Sequence, residues 1–391
     1  MLRKNCLIAM LAAVVLAAAP LASFGQGRGA ALADQPMPAP MLAQAGNPVN
    51  TALASYTDLL SKNADGVAAL AADTLTADNI VSWQMPHGGF YKLPANYGAR
   101  WDGSTARSGW FGAGKVELGT IDNDATVTEI LVLANLYGRS GNLAYRDSAR
   151  RALDFLLNMQ YPSGGFPQVY PARTGTVYSN YVTFNDDAMV RVLILLDHAA
   201  RQKAPLDGDL FTARQRARLT PAIDLAVDFI VKAQIVQHGV KTVWCAQHDP
   251  VNYAPLGGRA YELASKSGKE SVLILAFLMS RPQTAAVAAA AKAGIAWFKS
   301  SAVQRKDTAY KRTQATDTSP FVSEAGSTVW YRFYDLAADT GFFSGRLPTD
   351  QPPGKGKQYD IMLVEPERRY GYQWGGNYGD ALFEYSDAVG Y

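Results

Sequence analysis

The stretch Leu156-Leu-Asn-Met-Gln160, followed by Ser163-Gly-Gly-Phe166, decides the fold because its pattern returns along the chain. An earlier copy is Ile80-Val-Ser-Trp-Gln84 followed by His87-Gly-Gly-Phe90, and a looser copy is Ile230-Val-Lys-Ala-Gln234 followed by His238-Gly239. In each copy a helical segment ends at a glutamine and a glycine turn follows. The glutamines are 76 and 74 residues apart, which fits a repeated unit of two helices joined by a long loop.

A second apolar segment follows each copy of this pattern. These segments are apolar almost all round a helix, which predicts buried helices at Val127–Tyr137, Val190–Ala199 and Val272–Met279. The stretches between them are amphipathic and predict an outer layer of helices at about 145–159, 221–234 and 284–299. Such alternation predicts an all-α-dominated (α/α)3 toroid with long irregular loops that contain short β segments. We also expect a leading helix within residues 50–80 and a final helix around Trp330–Thr340.

One alternative architecture remains open at this point. Tyr, Gly and Trp cluster at residues 86–120 and 161–183, which would suit a β-rich domain. We interpret both stretches as long functional loops, because connections of this length in a compact domain usually carry binding or catalytic residues.

The N-terminus predicts export from the cytoplasm. Residues 1–26 combine a basic start, an apolar run and small residues, as in a secretory signal peptide. Residues 27–48 are rich in Ala and Pro and predict a linker, so 49–391 is expected to form a single catalytic domain. Once the leader is removed, Cys245 has no partner for an intrachain disulfide. We expect a secreted or periplasmic protein.

Composition limits the classes of function. The chain has 391 residues, of which 48% are hydrophobic and 11% aromatic, so it can bury a large core. Its 37 Lys and Arg against 34 Asp and Glu give a net charge of +3, without the basic excess expected of a nucleic-acid-binding protein. After leader cleavage no stretch approaches the roughly 18 apolar residues that a membrane span requires. We therefore expect a monomer with neither a nucleic-acid nor a membrane partner.

Acidic residues gather where the predicted buried helices begin. Two triplets, Asp122-Asn-Asp124 and Asn185-Asp-Asp187, precede the first two helices, and Glu270 opens the third. A single Asp or Asn is best explained as a helix N-cap, but three in a row exceed what a cap needs. Clustered oxygen ligands of this kind suit calcium, whereas four histidines without an HExxH pattern disfavour zinc.

Arg259 is the other candidate, in the loop Gly257-Gly-Arg-Ala-Tyr-Glu262. It could simply pair with Glu262 on the surface, and such pairs are common and weak. Other enzyme classes lack their motifs: there is no GxSxG, no P-loop and no GxGxxG after a strand.

Taken together, several motifs in one order resemble the polysaccharide lyase family 10 pectate lyases over residues 55–380. The two triplets and the Arg259 loop carry this resemblance together with four further stretches: Gly165-Phe-Pro-Gln-Val-Tyr-Pro171, Trp244-Cys-Ala-Gln-His-Asp249, Trp330-Tyr-Arg-Phe-Tyr-Asp335 and Glu367-Arg-Arg-Tyr-Gly-Tyr-Gln-Trp374. The resemblance implies an (α/α)3 toroid, calcium dependence and β-elimination of polygalacturonate.

The resemblance also implies roles for particular residues. Arg259 corresponds to the catalytic base, and Asp122 and Asp186 correspond to acids near the calcium and the substrate. Asp187 belongs to the same expected metal-ligand set. Arg346 corresponds to a second active-site arginine, although its context, Phe342-Phe-Ser-Gly-Arg-Leu, departs from the acidic flanks expected there.

An acidic polymer would be bound by cations and aromatic rings. Arginine forms bidentate bonds to carboxylates, and rings can serve as sugar platforms. The expected substrate-binding residues are Lys115, Arg173, Trp244, Tyr261 and Arg332, with Lys92 and Trp110 as further candidates. Two other functions remain open: an inverting glycoside hydrolase that uses Asp122 and Asp186, and a non-catalytic protein that binds an acidic polysaccharide.

Overall fold

A computed structural model describes residues 74–312, 318–346 and 356–391, with only the backbone of residues 94 and 95. The expected signal peptide (1–26) and linker (27–48) lie outside these residues, as does most of the expected leading helix. No helix in the described ranges is long and apolar enough to cross a membrane.

The described residues form nine α-helices, each bounded by capping or turn residues. They are α1 (Thr74–Trp83), α2 (Val127–Ser140), α3 (Leu143–Met159), α4 (Ala188–Ala200), α5 (Ala213–Ala233), α6 (Glu270–Met279), α7 (Ala285–Lys299), α8 (Pro366–Gly371) and α9 (Tyr378–Val389). Asn142, Thr212 and Thr284 cap α3, α5 and α7 by accepting hydrogen bonds from backbone N–H groups of the first turn.

Short strands line the connections between these helices. They are β1 (Gly119–Thr120), β2 (Val169–Tyr170), β3 (Val182–Thr183), β4 (Val236–Gln237), β5 (Val240–Lys241), β6 (Gln247–His248), β7 (Pro255–Leu256), β8 (Lys266–Ser267), β9 (Arg305–Tyr310), β10 (Phe321–Tyr331), β11 (Phe333–Tyr334), β12 (Gly341–Phe342) and β13 (Gly375–Gly376). In the described ranges they form five antiparallel sheets, ordered β1-β2, β13-β10-β9, β12-β11-β8, β3-β6-β7 and β4-β5.

The helices separate into buried and half-buried layers. Every residue of α6 is buried, and so are all but the last residue of α4. Helices α3, α5 and α7 bury one face only, as their amphipathic sequences predict. Helix α4 packs against α2, α5 and α6, while α5 also packs against α3 and α7. The predicted alternation of buried and amphipathic helices is therefore present.

The repeated glutamine has the same structural task in each copy. The Gln84 side-chain amide donates to Gly88 O at 2.8 Å and to Ser148 O of α3 at 2.9 Å. Gln160 likewise donates to Gly164 O and to Ala222 O of α5, at 2.9 and 2.8 Å. Each amide thus ties the end of one helical segment to its own turn and to the next half-buried helix. We call these contacts the glutamine clasps.

The third clasp follows the same rule. Gln234 donates to Thr242 O and to Ala290 O of α7, both at 2.9 Å. The glycine of the first two turns is needed because the chain passes close to the next helix with a positive φ. A Cβ on Gly164 would lie 2.0 Å from Leu225 O, at a φ of +100°.

The expected fold class is wrong. The structure is 45% helical and 15% strand, a mixed α and β architecture rather than an all-α-dominated (α/α)3 toroid. Strand β10 alone spans eleven residues, and it pairs on its two sides with β9 and β13. Helical periodicity in the first three quarters of the chain could not reveal this sheet, because its strands lie after residue 300.

The expected final helix around Trp330–Thr340 is also wrong. Trp330 and Tyr331 end β10, and Phe333 and Tyr334 form β11. Aromatic residues favour a pleated strand when neighbouring strands cover them, and here β13 pairs with Trp330 and Tyr331. A second, smaller core cluster forms behind these strands, and it includes Tyr261, Phe333, Tyr372 and Trp374.

Replacing Gln234 by Met should destabilise the fold by about 2–3 kcal/mol, because two buried carbonyl groups would lose their donor while side-chain length is kept. The free energy of unfolding in urea measures this effect. Gln202→Met is the matched control, because Gln202 is exposed, and it should change stability by less than about 0.5 kcal/mol. Equal effects of the two substitutions would contradict the role of the clasp.

Candidate active site

The two acidic triplets form matching turns immediately before buried helices. Both Asp122–Asp124 and Asn185–Asp187 are short 3-10 turns, and both contact α4. Their last two residues have left-handed φ angles: 51° and 62° in the first turn, 52° and 66° in the second. Asn and Asp tolerate this conformation better than other non-glycine residues. Backbone geometry therefore accounts for part of the pattern that predicted metal ligands.

The last acid of each triplet is directed toward a buried cation. Asp124 pairs with Arg191 of α4, with 2.9 Å between Oδ1 and Nε, and both side chains are buried. Asp187 lies 3.7 Å from the Lys269 ammonium, and its side chain is 10% exposed. Asp187 is therefore poorly placed to bind a metal from solvent, contrary to the expectation for it.

A buried charge cluster lies at the N-terminus of α6. Glu270 accepts a hydrogen bond from Arg332 Nη2 at 2.6 Å and one from Lys269 Nζ at 3.0 Å. The same two cations reach Asp186 Oδ1 at the longer distances of 3.3 and 3.4 Å. Burial would raise the pKa of Glu270, but the charges of Arg332 and Lys269 outweigh it and hold that pKa below its ordinary value. Glu270 is thus the main partner of both cations.

Asp186 is the accessible acid of this cluster. Its side chain is 29% exposed, compared with 0% for Glu270. Lys269 and Arg332 lie closer to Glu270 than to Asp186, so they neutralise the Asp186 carboxylate less. That carboxylate can therefore still attract a cationic ligand. Asn185 fixes the carboxylate by donating to its Oδ2 at 2.9 Å.

Arg259 lies in the loop between β7 and β8, where Glu262 holds it. The Glu262 carboxylate is 2% exposed and accepts from Arg259 Nε at 2.8 Å and from Nη2. Burial would lower the pKa of Arg259, but the hydrogen bonds and charge of Glu262 raise it above its ordinary value. The surface pair considered from the sequence is therefore a half-buried clamp.

Three guanidinium groups surround the ring of Tyr261. Those of Arg259, Arg346 and Arg368 lie 4.9, 4.6 and 4.8 Å from the ring centroid, within cation–π range. The Arg346 side chain is 49% exposed and lies 3.3 Å from Glu367. The structure therefore brings Arg259 and Arg346 together, as predicted for two active-site arginines. We call this group the arginine cluster.

Tyr372 connects the arginine cluster to the buried charge cluster. Its hydroxyl donates to Glu262 Oε1 at 3.0 Å, and its ring centroid lies 4.3 Å from the Arg332 guanidinium. The two groups of charges are consequently joined in one network of contacts.

Asp122 belongs to a neighbouring group of side chains. It pairs with Lys92, whose ammonium lies 4.7 Å from the centroid of Trp110. The Arg173 guanidinium lies 5.6 Å from the same ring. Trp110 thus carries a cation at two positions, an arrangement suited to a sugar acid, which offers both a ring and a carboxylate.

Four predicted substrate-binding residues are placed differently from expectation. Trp244 is fully buried and donates to Ile230 O at 2.7 Å, so it lies in the core rather than on an open sugar-binding surface. Tyr261 is also fully buried and is covered by arginines instead of being open to a sugar. Arg332 is 3% exposed and is engaged by Glu270, so its side chain lies beneath the surface. Lys115 lies apart, in a cavity of about 560 Å³ with His87, Phe111 and Glu117.

The acids fit calcium only in combination with external ligands. Within the described ranges, no three His, Cys, Asp or Glu residues form a group that could hold a metal ion. Calcium takes six to eight oxygens, so an ion held by Asp186 would need further oxygen ligands besides the carboxylates of these residues. Asp186 suits this arrangement because its carboxylate is accessible, whereas Asp122 is 7% exposed and already paired with Lys92.

Sequence reasoning missed Lys269, Arg368 and Tyr372 and gave Glu262 only a surface role. A signal existed for Lys269, because it occupies the position before α6 where the other two buried helices have acidic triplets. Arg368 and Tyr372 lie within a stretch that carried the family resemblance, but their partners are about a hundred residues away along the chain.

The comparisons with known proteins fit this geometry. A family model described as "Pectic acid lyase" matches residues 84–383. The chain belongs to this family. It is therefore a polysaccharide lyase that acts on pectic acid, which excludes a glycoside hydrolase and a non-catalytic binding protein. No match was found among the curated proteins.

Two solved structures of a family 10 polysaccharide lyase from Cellvibrio cellulosa are similar to this chain. The first is 42% identical, with a TM-score of 0.72, and the match covers 84% of this chain and 96% of that one. The second is an aspartate-to-alanine variant in complex with trigalacturonic acid. It is also 42% identical, with a TM-score of 0.73 and coverage of 85% and 99%.

Replacing Arg332 by Met should cost about 3–5 kcal/mol of stability, because removing one partner of a buried ion pair leaves the Glu270 charge poorly compensated. The double variant Arg332→Met with Glu270→Gln should be more stable than the single variant, since the unpaired charge is removed. Unfolding in guanidinium chloride measures both values. Simple addition of the two single costs would contradict the coupling between these residues.

Proposed function

We propose that this lyase cleaves α-1,4-linked polygalacturonate by calcium-assisted β-elimination and releases 4,5-unsaturated oligogalacturonates. The observation that carries the proposal is the contact of the arginine cluster, through Tyr372, with the charge cluster that exposes Asp186. The complex of the Cellvibrio lyase with trigalacturonic acid supports galacturonate as the bound sugar.

The reaction requires a base at C5 and relief of charge at the neighbouring carboxylate. Arg259, in its neutral form, takes the C5 proton, and the electrons of the C5–H bond form the C4–C5 double bond. The C4–O bond breaks, and its electron pair leaves with the glycosidic oxygen, which takes a proton from water. Arg346 donates hydrogen bonds to the substrate carboxylate while negative charge accumulates there, a preorganised electrostatic stabilisation.

Asp186 would hold a calcium ion, and that ion would supply Lewis-acid chemistry by withdrawing charge from the substrate carboxylate. Asp122 is the second acid we propose on this side of the site, held by Lys92. Arg173 and Lys92, which both lie within cation–π range of Trp110, are proposed to bind further galacturonate residues.

The need for a neutral Arg259 predicts activity at alkaline pH. An arginine side chain is normally protonated, with a pKa above about 12, and Glu262 strengthens this preference. The guanidinium groups of Arg346 and Arg368 oppose the protonation of Arg259, because nearby like charges disfavour its protonated form. Bound calcium adds a further positive charge.

Arg259→Ala and Arg259→Lys should each reduce the rate of unsaturated product formation by about 10²- to 10⁴-fold, the usual contribution of a general base. The measurement is ultraviolet absorbance of the new double bond on polygalacturonate. Arg281→Lys is the matched control: Arg281 pairs with Asp197 beyond the opposite end of α6 and should leave the rate near wild type. Substantial activity in Arg259→Ala would exclude Arg259 as the base.

Chelation with EGTA should abolish the absorbance change, and added calcium should restore it. Asp186→Asn should require a higher calcium concentration for half-maximal rate, because one charged oxygen ligand is lost. New reducing ends without new absorbance, or full activity in EGTA, would contradict calcium-assisted elimination.

We also propose that the protein acts outside the cytoplasm, in the periplasm or the medium. The leader-like segment 1–26 motivates this proposal. The N-terminal sequence of the exported protein should begin after this segment, and retention of an intact Met1 in active cytoplasmic protein would contradict it.

A further inference from the structure

Glu262 closes the loop that carries Arg259. Gly258 N donates to Glu262 O, and Glu262 N donates to Arg259 O, both at 2.7 Å. Position 258 must lack a side chain, because a Cβ there would lie 2.8 Å from Glu262 Oε2. The backbone of the loop is therefore shaped around this buried carboxylate.

Both oxygens of Glu262 are fully engaged. Oε2 accepts from the backbone N of Arg259 at 3.0 Å and from its Nε at 2.8 Å. Oε1 accepts from Arg259 Nη2 and from the Tyr372 hydroxyl. Within the described residues Arg259 Nη1 makes no hydrogen bond, and the Arg259 side chain is 39% exposed.

We infer that Glu262 is a positioning residue for the elimination: it holds Nε and Nη2 of Arg259 and leaves Nη1 as the nitrogen that receives the C5 proton. This inference rests on the proposed function, in which Arg259 is the base. A guanidinium with three exposed nitrogens could turn in several ways, whereas the clamp leaves one orientation.

The clamp has a consequence for the pH at which the enzyme works. The groups that face Arg259 are Glu262, Tyr261 and Tyr372, together with the guanidinium groups of Arg346 and Arg368, which share the ring of Tyr261. Glu367 neutralises part of the charge of those two arginines. Among these groups Glu262 is the acid in direct contact, and its charge raises the pKa of Arg259. The contact with Glu262 therefore fixes the orientation of Arg259 but shifts the pH range of activity to more alkaline values.

Glu262→Gln tests this inference, because it keeps the shape of the side chain and removes its charge. The pKa of Arg259 should fall, since burial then dominates, and the rising limb of log(kcat/KM) against pH should move down by about 1–3 pH units. Tyr372→Phe should move the limb in the opposite direction, because Glu262 Oε1 loses a hydrogen-bond donor and its charge acts more strongly on Arg259.

Two further variants separate positioning from simple stability. Glu262→Asp keeps the charge but shortens the side chain, so the limb should stay in place while the rate falls. Asp197→Asn, at a buried acid paired with Arg281 and Arg201 near the opposite end of α4, should leave the limb unchanged. A limb that does not move in Glu262→Gln, or that moves equally in Asp197→Asn, would overturn the inference. Failure of the proposed function is distinguishable, because Arg259→Ala would then remain active.

Discussion

The glutamine clasps are the interaction on which the rest of the structure depends. The side-chain amide of each glutamine donates hydrogen bonds to carbonyl groups of two different elements. A helix end, a loop and the next helix are therefore fixed at one point. The loops that start at these points carry Asp122, Asp186 and Arg259. The loops are therefore held at their bases, which is a condition for a site that needs catalytic geometry.

The charged side chains of the site differ in their exposure to solvent, from fully buried to half exposed. Glu270 is closed off and balances Lys269 and Arg332, while Asp186 remains partly open. Farther along the chain of contacts, Glu262 holds Arg259, and Arg346 is half exposed. Arg259 and Arg346 are partly exposed while the buried charges are paired, so a chain with a net charge of only +3 can still present positive charge locally to a polyanion. Attraction is local, and the interior carries little net charge.

Sequence reasoning succeeded where the pattern was local and failed where it was distant. The helices were found because apolar spacing repeats every few residues, and the glutamines because the motif that contains them recurs at separations of 76 and 74 residues. The sheet around β10 was missed, because Trp330-Tyr-Arg-Phe-Tyr334 is compatible with either a helix or a strand until its neighbours are known. Glu262 was assigned to the surface, since its burial depends on Tyr372, which is 110 residues away. The acidic triplets predicted clustered oxygen ligands that include Asp186, but they gave no sign of their left-handed backbone.

Helix α6 has ten consecutive residues without a solvent-facing position. Most helices have one face on which sequence can drift at little cost to stability. In α6 a larger or polar side chain at any position would contact packed neighbours. The packing against α7 is so close that a methyl group added to Gly294 of α7 would lie 2.5 Å from Leu275 of α6. Evolution of this enzyme is therefore expected to proceed through its half-buried helices and its loops. The segment that begins with Glu270 should change slowly, and mostly through paired substitutions.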